Sequence, residues 1–226
     1  MFRKPICPDP DLFVWVQTSD GKGYWRRKRG TIKPARLNAS LQRNALLSGI
    51  MNEAASRIKA KLYLNLDKLQ TGRFFSGLCG KLIKAYNARG SLNYSTLAGL
   101  NVQPRHPLEK LVPLYMVIQR PDMVEVQIAV DGGNLKIRSQ LISHYFFELI
   151  LLEGDAGIEN DLNITSDMSA VYEAGKTAPD CILRVRPAKE PWMVLLKVSC
   201  IETPTANTLE MAVSASNYGM KVVRTS

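Results

Sequence analysis

The chain has 226 residues, and its 30 Lys and Arg against 20 Asp and Glu give a formal net charge of +10. This length predicts one or two domains and is sufficient to bury a hydrophobic core without disulfides or metals. With 46% hydrophobic and 22% charged residues, the composition is typical of a globular protein and excludes an intrinsically disordered chain. The charge is uneven, because residues 1–110 carry +14 and residues 111–226 carry −4.

The N-terminal segment predicts a β-hairpin that leads into a basic run. Residues 12–17 (LFVWVQ) are rich in aromatic and β-branched side chains, Asp20-Gly21 supplies a turn, and residues 24–28 (YWRRK) form the second strand. Pro34 ends this segment.

The region from about Asn38 to Lys110 predicts three helices, because its apolar residues recur at steps of three and four. The first helix begins at an Asn38 or Ser40 cap, the second covers roughly residues 62–70, and the third runs from Arg73 to Arg89. The third helix has an apolar stripe formed by Phe75, Leu78, Leu82, Ala85 and Tyr86.

The opposite face of the third helix combines glycines with cations, namely Arg73, Gly77, Gly80, Lys81 and Lys84. A glycine lowers helix stability by about 1 kcal/mol relative to alanine, so two glycines on one face need a reason. Either another element packs closely against this face, which is the favoured interpretation, or the face contacts a partner.

Residues from Val112 onward alternate between apolar and polar side chains, which predicts short antiparallel strands. Seven such runs with turn residues between them are typical of an immunoglobulin-like β-sandwich. In the run from Trp192 to Cys200, Lys197 and Ser199 are expected to point away from the core. The connection from Glu153 to Pro179 is either a functional loop or two weakly patterned strands.

The predicted fold class is α+β, with an N-terminal β-hairpin and three-helix basic region over residues 1–110 and an antiparallel β-sandwich over residues 111–226. No run of about 18 consecutive apolar residues is present, so no membrane span is expected. No hydrophobic signal segment follows the N-terminus, so a cytoplasmic location is expected.

The four cysteines, Cys7, Cys79, Cys181 and Cys200, form no C-x-x-C pair, which disfavours a zinc site. Cys181 and Cys200 fall on the apolar side of alternating runs and are expected to be buried free thiols. A disulfide between them is the alternative in an oxidising compartment.

Signatures of common enzyme classes are absent from the sequence. It contains no phosphate-binding glycine loop and no G-x-S-x-G elbow. Adjacent Ser143 and His144 are expected on opposite faces of a strand, which would prevent them from acting as nucleophile and base. The carboxylates between Glu153 and Asp161 are expected to be solvated, since their spacing differs from that of calcium loops. We therefore expect a non-enzymatic protein with no catalytic residue, cofactor or metal.

A basic segment preceded by aromatic residues is the strongest functional signal. From Arg26 to Arg43, seven cations lie within eighteen positions without one acidic residue. Phosphates attract such cations and aromatic rings stack on unpaired bases, so this composition is typical of polyanion binding. The alternatives are a solvated hairpin, or cations that contact the acidic sandwich of a neighbouring molecule. The candidate polyanion- or partner-binding residues are Trp25, Arg26, Arg27, Lys28, Arg29, Lys33, Arg36, Arg43, Arg73, Lys81 and Lys84.

Residues 24–30 (YWRRKRG), residues 41–44 (LQRN) and the helical pair Ala54-Ala55 resemble an uncharacterised family of small basic bacterial proteins. Members of that family open with a glycine-bearing hairpin and a basic run, continue through helices rich in small residues, and end in a β-rich half. The resemblance covers residues 21–90. It implies the same division of the chain and no particular function.

Three functions of different classes are considered, and the observations favour the first two. The first is a non-enzymatic structural, assembly or interaction protein that forms homo-oligomers or docks a protein partner, because its basic and mildly acidic halves are complementary between copies. The alternative is a sequence-nonspecific nucleic-acid-binding protein that uses Arg26–Arg43 and the Lys81/Lys84 helix face. A polysaccharide hydrolase acting from the 153–179 connection is the least favoured, because no carboxylate pair stands out.

Overall fold

The computed structural model shows an α+β fold with antiparallel sheets. The chain divides into two compact units, Met1–Leu46 and Leu47–Ser226, with the boundary inside the first helix. The structure describes residues 7, 9–18, 22–28, 39–66, 72–112, 114–130, 142–202 and 218–226.

The first unit contains the predicted β-hairpin. Strand β1 (Phe13–Gln17) pairs with β2 (Gly23–Arg27) in an antiparallel register that places Trp15 opposite Trp25. Aromatic and β-branched side chains favour this extended backbone, which explains why the pattern predicted it. The Asp20-Gly21 turn lies outside the described residues.

The helical region has two long helices with one short helical turn between them. These elements are α1 (Ala39–Lys61), α2 (Tyr63–Leu66) and α3 (Gly72–Arg89). Helix α3 ends as predicted, because Gly90 adopts a φ of 75° and donates its N–H to the Tyr86 carbonyl at 2.7 Å. Of the helix expected over residues 62–70, residues 63–66 form the short helix α2, and residues 67–70 lie outside the described part of the chain.

The larger sheet has the strand order β10-β9-β5-β6, with the short β7 also paired to β5. All of its pairings are antiparallel. Its strands are β5 (Ile142–Glu153), β6 (Asn163–Met168), β7 (Tyr172–Glu173), β9 (Trp192–Glu202) and β10 (Gly219–Thr225). The connection from Glu153 to Pro179 therefore contains two strands, which decides between the two interpretations of its sequence.

The smaller sheet has the antiparallel order β3-β4-β8 and contacts the larger one. Its strands are β3 (Tyr115–Arg120), β4 (Met123–Ile128) and β8 (Cys181–Val185). Tyr172 of β7 is hydrogen-bonded to the Cys181 thiol of β8. At the sheet edges, the Arg184 backbone N–H donates to Asp167 Oδ2 at 2.7 Å. The run predicted at residues 135–138 lies outside the described residues.

One face of the larger sheet carries a buried ion pair under the helical region. Lys197 Nζ lies 3.5 Å from Glu148 Oε2 on the neighbouring strand, and Asn65 of α2 donates to Glu148 Oε1 at 3.1 Å. The expectation that Lys197 and Ser199 point away from the core is wrong, since they are only 3% and 0% exposed. Strand β9 is buried on both faces because helical residues cover the second one.

Helices and sheets share one hydrophobic cluster within the second unit. In α3, Leu78, Leu82 and Ala85 are buried as predicted, but Phe74 is the fully buried aromatic residue and Phe75 is only partly buried. The division of the chain into domains at residue 110 stays a prediction.

Candidate functional site

The candidate site begins with the face of the hairpin that carries two tryptophans. The rings of Trp15 and Trp25 meet edge to face, with centroids 5.1 Å apart and an interplanar angle of 69°. The Trp15 ring lies over Gly23, where an added Cβ would come within 2.2 Å of a ring carbon. On the same face, the Arg27 guanidinium lies 5.8 Å from the Phe13 ring centroid. This face therefore places a cation beside a cluster of aromatic rings.

The opposite face of the hairpin repeats this combination. Val14 lies opposite Arg26, and Val16 lies opposite Tyr24. The Tyr24 side chain is 51% exposed and Arg26 is also exposed. A two-stranded hairpin is too thin to bury both of its faces by itself, so these groups are available to a partner. We call the two faces together the hairpin surface: Phe13, Trp15, Trp25 and Arg27 on one side, Tyr24 and Arg26 on the other.

Eight of the sequence-predicted candidates fall in the first unit. Four of them lie on β2 or directly after it, namely Trp25, Arg26, Arg27 and Lys28. Arg43 is exposed on α1. Three more lie outside the described residues, namely Arg29, Lys33 and Arg36.

The sequence-predicted candidates omitted Phe13, Trp15 and Tyr24 of the hairpin surface, and also Gly23, over which the Trp15 ring lies. The available signal was the hairpin register, since pairing about the predicted turn brings Trp15 opposite Trp25. The candidates were taken from the basic segment and the adjoining Trp25, so the residues of the first strand were left out.

The remaining candidates lie on α3 in the second unit and differ in their exposure and their contacts. Arg73 and Lys84 are exposed. Lys81 is half-buried, and its Nζ donates to the carbonyl oxygens of Thr96 at 2.8 Å and Ala98 at 3.4 Å. The Lys81 ammonium therefore holds the following segment against the helix, while Arg73 and Lys84 remain available to solvent.

The two glycines of α3 have different surroundings. A Cβ at Gly77 would lie 3.3 Å from the Leu100 side chain, whereas a Cβ at Gly80 would meet no atom within 4 Å. Close packing therefore explains Gly77 and does not explain Gly80.

Most of the described carboxylates of the second half are already engaged within the chain. Glu125 accepts hydrogen bonds from Gln127 and from Arg184 Nε, both at 2.7 Å, and these bonds lower its pKa. Asp161 is paired with Lys189 and accepts the backbone N–H of Asp155, and both contacts lower its pKa. Among the described side chains of this half, the carboxylates without a hydrogen bond or ion pair are Asp122, Glu159, Asp180 and Glu190.

Ser143 and His144 do meet, contrary to the expectation from strand alternation. Ser143 Oγ lies 2.8 Å from His144 Nδ1. The β5 register shifts between Ile142 and His144, and such a bulge brings consecutive side chains to one side. A catalytic serine–histidine pair needs a third group that orients the imidazole. Within the described part of the chain, no carboxylate is hydrogen-bonded to the His144 ring.

Other chemistry-bearing features of the described residues are sparse. No group of three His, Cys, Asp or Glu side chains in this part of the chain could hold a metal ion. A cleft of about 390 Å³ lies between α1 and residues 158–162, but Arg57 in its wall already donates to the carbonyls of Ala156 and Gly157. No helix in the described ranges is long and apolar enough to cross a membrane.

Comparison with known proteins assigns no family to this chain. No family model matches it, and no curated protein shows significant similarity to it. The resemblance over residues 21–90 therefore rests on the quoted residues, and the functional argument rests on the hairpin surface.

Proposed function

We propose that this is a non-enzymatic assembly or interaction protein whose hairpin surface binds an anionic partner. The observation that carries the proposal is that Arg26 lies on the same hairpin face as the exposed Tyr24, and that Arg27 lies beside the partly exposed Phe13 ring. Guanidinium groups beside aromatic rings bind anionic partners through charge and through stacking.

The charge of the first unit supports this proposal. Residues 1–46 contain 10 Lys and Arg against 3 Asp and Glu. Because salt screens charges over about 8 Å at physiological ionic strength, the local excess matters more than the net charge of the whole chain. A partner approaching the hairpin therefore meets a positive surface.

The state of the second-half carboxylates narrows the choice of partner. Docking of the hairpin on the acidic half of another copy needs free carboxylates, and most of the described ones are paired or hydrogen-bonded within their own chain. Breaking such pairs would leave buried or half-buried charges without partners. A separate anionic partner is the better fit to the hairpin surface.

Sequence-nonspecific binding of nucleic acid is the second candidate function. It is favoured by Trp15, Trp25 and Tyr24, because aromatic side chains next to cations stack on unpaired bases. This candidate requires a preference for single strands over duplexes, since duplex bases are already stacked.

The test is fluorescence anisotropy of the full chain with a labelled single strand, a labelled duplex and labelled polyglutamate at low salt. Reversing two charges with Arg26→Glu and Arg27→Glu should weaken binding about tenfold or more. The matched control reverses two exposed cations of the second unit, with Arg105→Glu and Lys110→Glu, and should change binding far less.

The outcomes separate the two candidates. Preference for the single strand supports nucleic-acid binding, and comparable binding of polyglutamate supports an acidic protein partner. No binding of any probe by the wild type, or equal losses in both double variants, would contradict the proposal.

For the scaffold we propose that the two antiparallel sheets form an immunoglobulin-like sandwich. The contacts between Tyr172 and Cys181 and between Arg184 and Asp167 support it. The cytoplasmic location expected from the sequence stays a prediction.

A further inference from the structure

The edge strands of the second unit differ in whether their outward backbone N–H and C=O groups form hydrogen bonds. The edge of β10 is covered by residues 99–102, where Val222 N–H donates to the Leu100 carbonyl at 2.9 Å and Gly99 N–H donates to the Val222 carbonyl at 2.8 Å. At the edge of β8, the Asp167 carboxylate accepts the Arg184 N–H. Coverage of this kind prevents edge-to-edge association.

Strand β3 is an edge strand whose outward backbone groups have no partner among the described residues. The Ala129 N–H donates to the Leu114 carbonyl, which fixes the alternation of hydrogen bonds between β3 and β4. By this alternation Tyr115, Val117 and Gln119 direct their N–H and C=O groups away from β4. These three residues therefore form an open row of donors and acceptors.

The side chains next to this row are apolar and are exposed or partly exposed. Leu114 is 51% exposed and Met116 is 54% exposed, and Ile118 follows on the same face. Arg120 is the single charged residue of the strand. An apolar strand edge of this type is a template for another strand.

We propose that β3 pairs with β3 of a second copy of this chain, antiparallel and across a two-fold axis at Val117. The outward row is symmetric about that residue, so Tyr115 lies opposite the partner subunit's Gln119 and Val117 lies opposite the partner subunit's Val117. Each facing pair of this kind exchanges two hydrogen bonds. Every outward N–H and C=O of the row is then satisfied, which is why the edge fits a copy of itself.

The side chains agree with this register. Met116 lies opposite the partner subunit's Ile118, which makes two equivalent apolar cross-strand pairs. The two Arg120 side chains lie at opposite ends of the paired strands, roughly 20 Å apart, because each residue advances a strand by about 3.4 Å. At that distance salt screens their repulsion.

The pairing joins two three-stranded sheets into one with the order β8-β4-β3-β3-β4-β8. Two six-residue strands bury less surface than the roughly 1,200 Å² typical of stable interfaces, so the dimer is expected to be weak and reversible. This inference goes beyond the proposed function, because it concerns a different surface and names a second copy as its partner. It is independent of the hairpin charges, because hydrogen bonds and apolar pairs between the strands depend little on salt.

The test is sedimentation velocity of the full chain from low to high micromolar concentration, at low and at high salt. The wild type should shift from monomer to dimer with concentration at both salts. Val117→Pro removes the N–H at the two-fold axis, and a proline is tolerated where an edge N–H faces solvent. Met116→Lys places a charge opposite an apolar residue. Each variant should weaken the dimer about tenfold or more.

The matched control is Met168→Lys on β6, where the methionine is 59% exposed and belongs to the other sheet. It should dimerise like the wild type. If Val117→Pro does not fold, as judged by circular dichroism, Met116→Lys at its half-exposed position decides the result. Slower amide exchange at Val117 in concentrated wild-type samples would support the pairing directly.

A wild type that stays monomeric over the whole range at both salts would overturn the inference, as would a dimer that survives Met116→Lys. A dimer that disappears only at high salt would also contradict it and would point to the charged surfaces. Failure of β3 pairing would leave probe binding by the hairpin unchanged, so the two proposals fail separately.

Discussion

Gly23 is the residue on which the shape of the hairpin surface depends. The Trp15 ring occupies the space where any other side chain would begin, and it meets Trp25 edge to face. Gly23→Ala should displace the Trp15 ring and remove the contact between the two indoles, which is worth about 1 kcal/mol beyond burial. Near-ultraviolet circular dichroism should show loss of the tryptophan signal, with weaker anion binding.

Gly80→Ala on α3 is the matched control for this change. No atom lies within 4 Å of the added methyl group, and alanine favours the helix by about 1 kcal/mol. The control should be slightly more stable than the wild type with an unaltered tryptophan signal. An unchanged near-ultraviolet spectrum in Gly23→Ala would show that the two rings are not packed as described.

Glu125 is expected to make the stability of the folded protein depend on pH in the acidic range. Hydrogen bonds from Gln127 and Arg184 lower its pKa, so folding favours the ionised carboxylate. The resulting stability is present above the carboxyl's unfolded pKa of about 4.3 and is lost as pH falls through the lower folded value. Glu125→Gln should lower the melting temperature at neutral pH, because Arg184 loses its charged partner.

The decisive comparison for Glu125 is the slope of melting temperature against pH between neutral and about pH 3. The wild type should lose stability more steeply than Glu125→Gln as pH falls below the unfolded pKa. Parallel curves for the two proteins would mean that the carboxylate is not stabilised in the folded state.

Two cysteine thiols are buried in the sheets, and their rate of reaction with a thiol reagent measures how tightly the strands around them are packed. Cys181 and Cys200 are buried free thiols, as predicted, and burial raises the pKa of Cys200 to about 12. The thiolate is the reactive form, so both should react slowly with an aromatic disulfide reagent at mildly alkaline pH. Peptide mapping should show fast labelling of both only in denaturant. Fast labelling of Cys200 in the native protein would contradict the described core.

Local patterns predicted most of the elements, and non-local packing explains the rest. Periodicity placed α1, α3 and the long strands, and Gly90 marked the end of α3, because these signals lie within one segment. The bulge that joins Ser143 to His144 and the burial of Lys197 depend on neighbouring strands and on the covering helices, which no single segment reveals. The sequence of β6 left a loop and a weakly patterned strand both open, because an edge strand needs few apolar residues.

The candidate site was predictable in part for the same reason. The basic residues of β2 were identified from composition, whereas Phe13, Trp15 and Gly23 join the site only through cross-strand pairing. The open edge of β3 has no composition signal of its own, since its sequence resembles that of a core strand.

At the scale of the whole molecule, we propose two binding surfaces that use different types of interaction and bind different partners. The hairpin surface acts through charge and aromatic rings, and the β3 edge acts through backbone hydrogen bonds and apolar pairs. Most of the described second-half carboxylates are ion-paired or hydrogen-bonded within the chain, which supports the proposal that the positive charge of the first unit binds a separate anion.

The most direct test of the central claim is the salt dependence of binding to a single-stranded oligonucleotide. For single strands, each neutralised phosphate contributes about 0.7 to the slope of log K against log salt concentration. Neutralising two cations with Arg26→Gln and Arg27→Gln should therefore make the negative slope shallower by about 1.4. An identical slope in the wild type and this variant would show that the hairpin cations do not contact the anion.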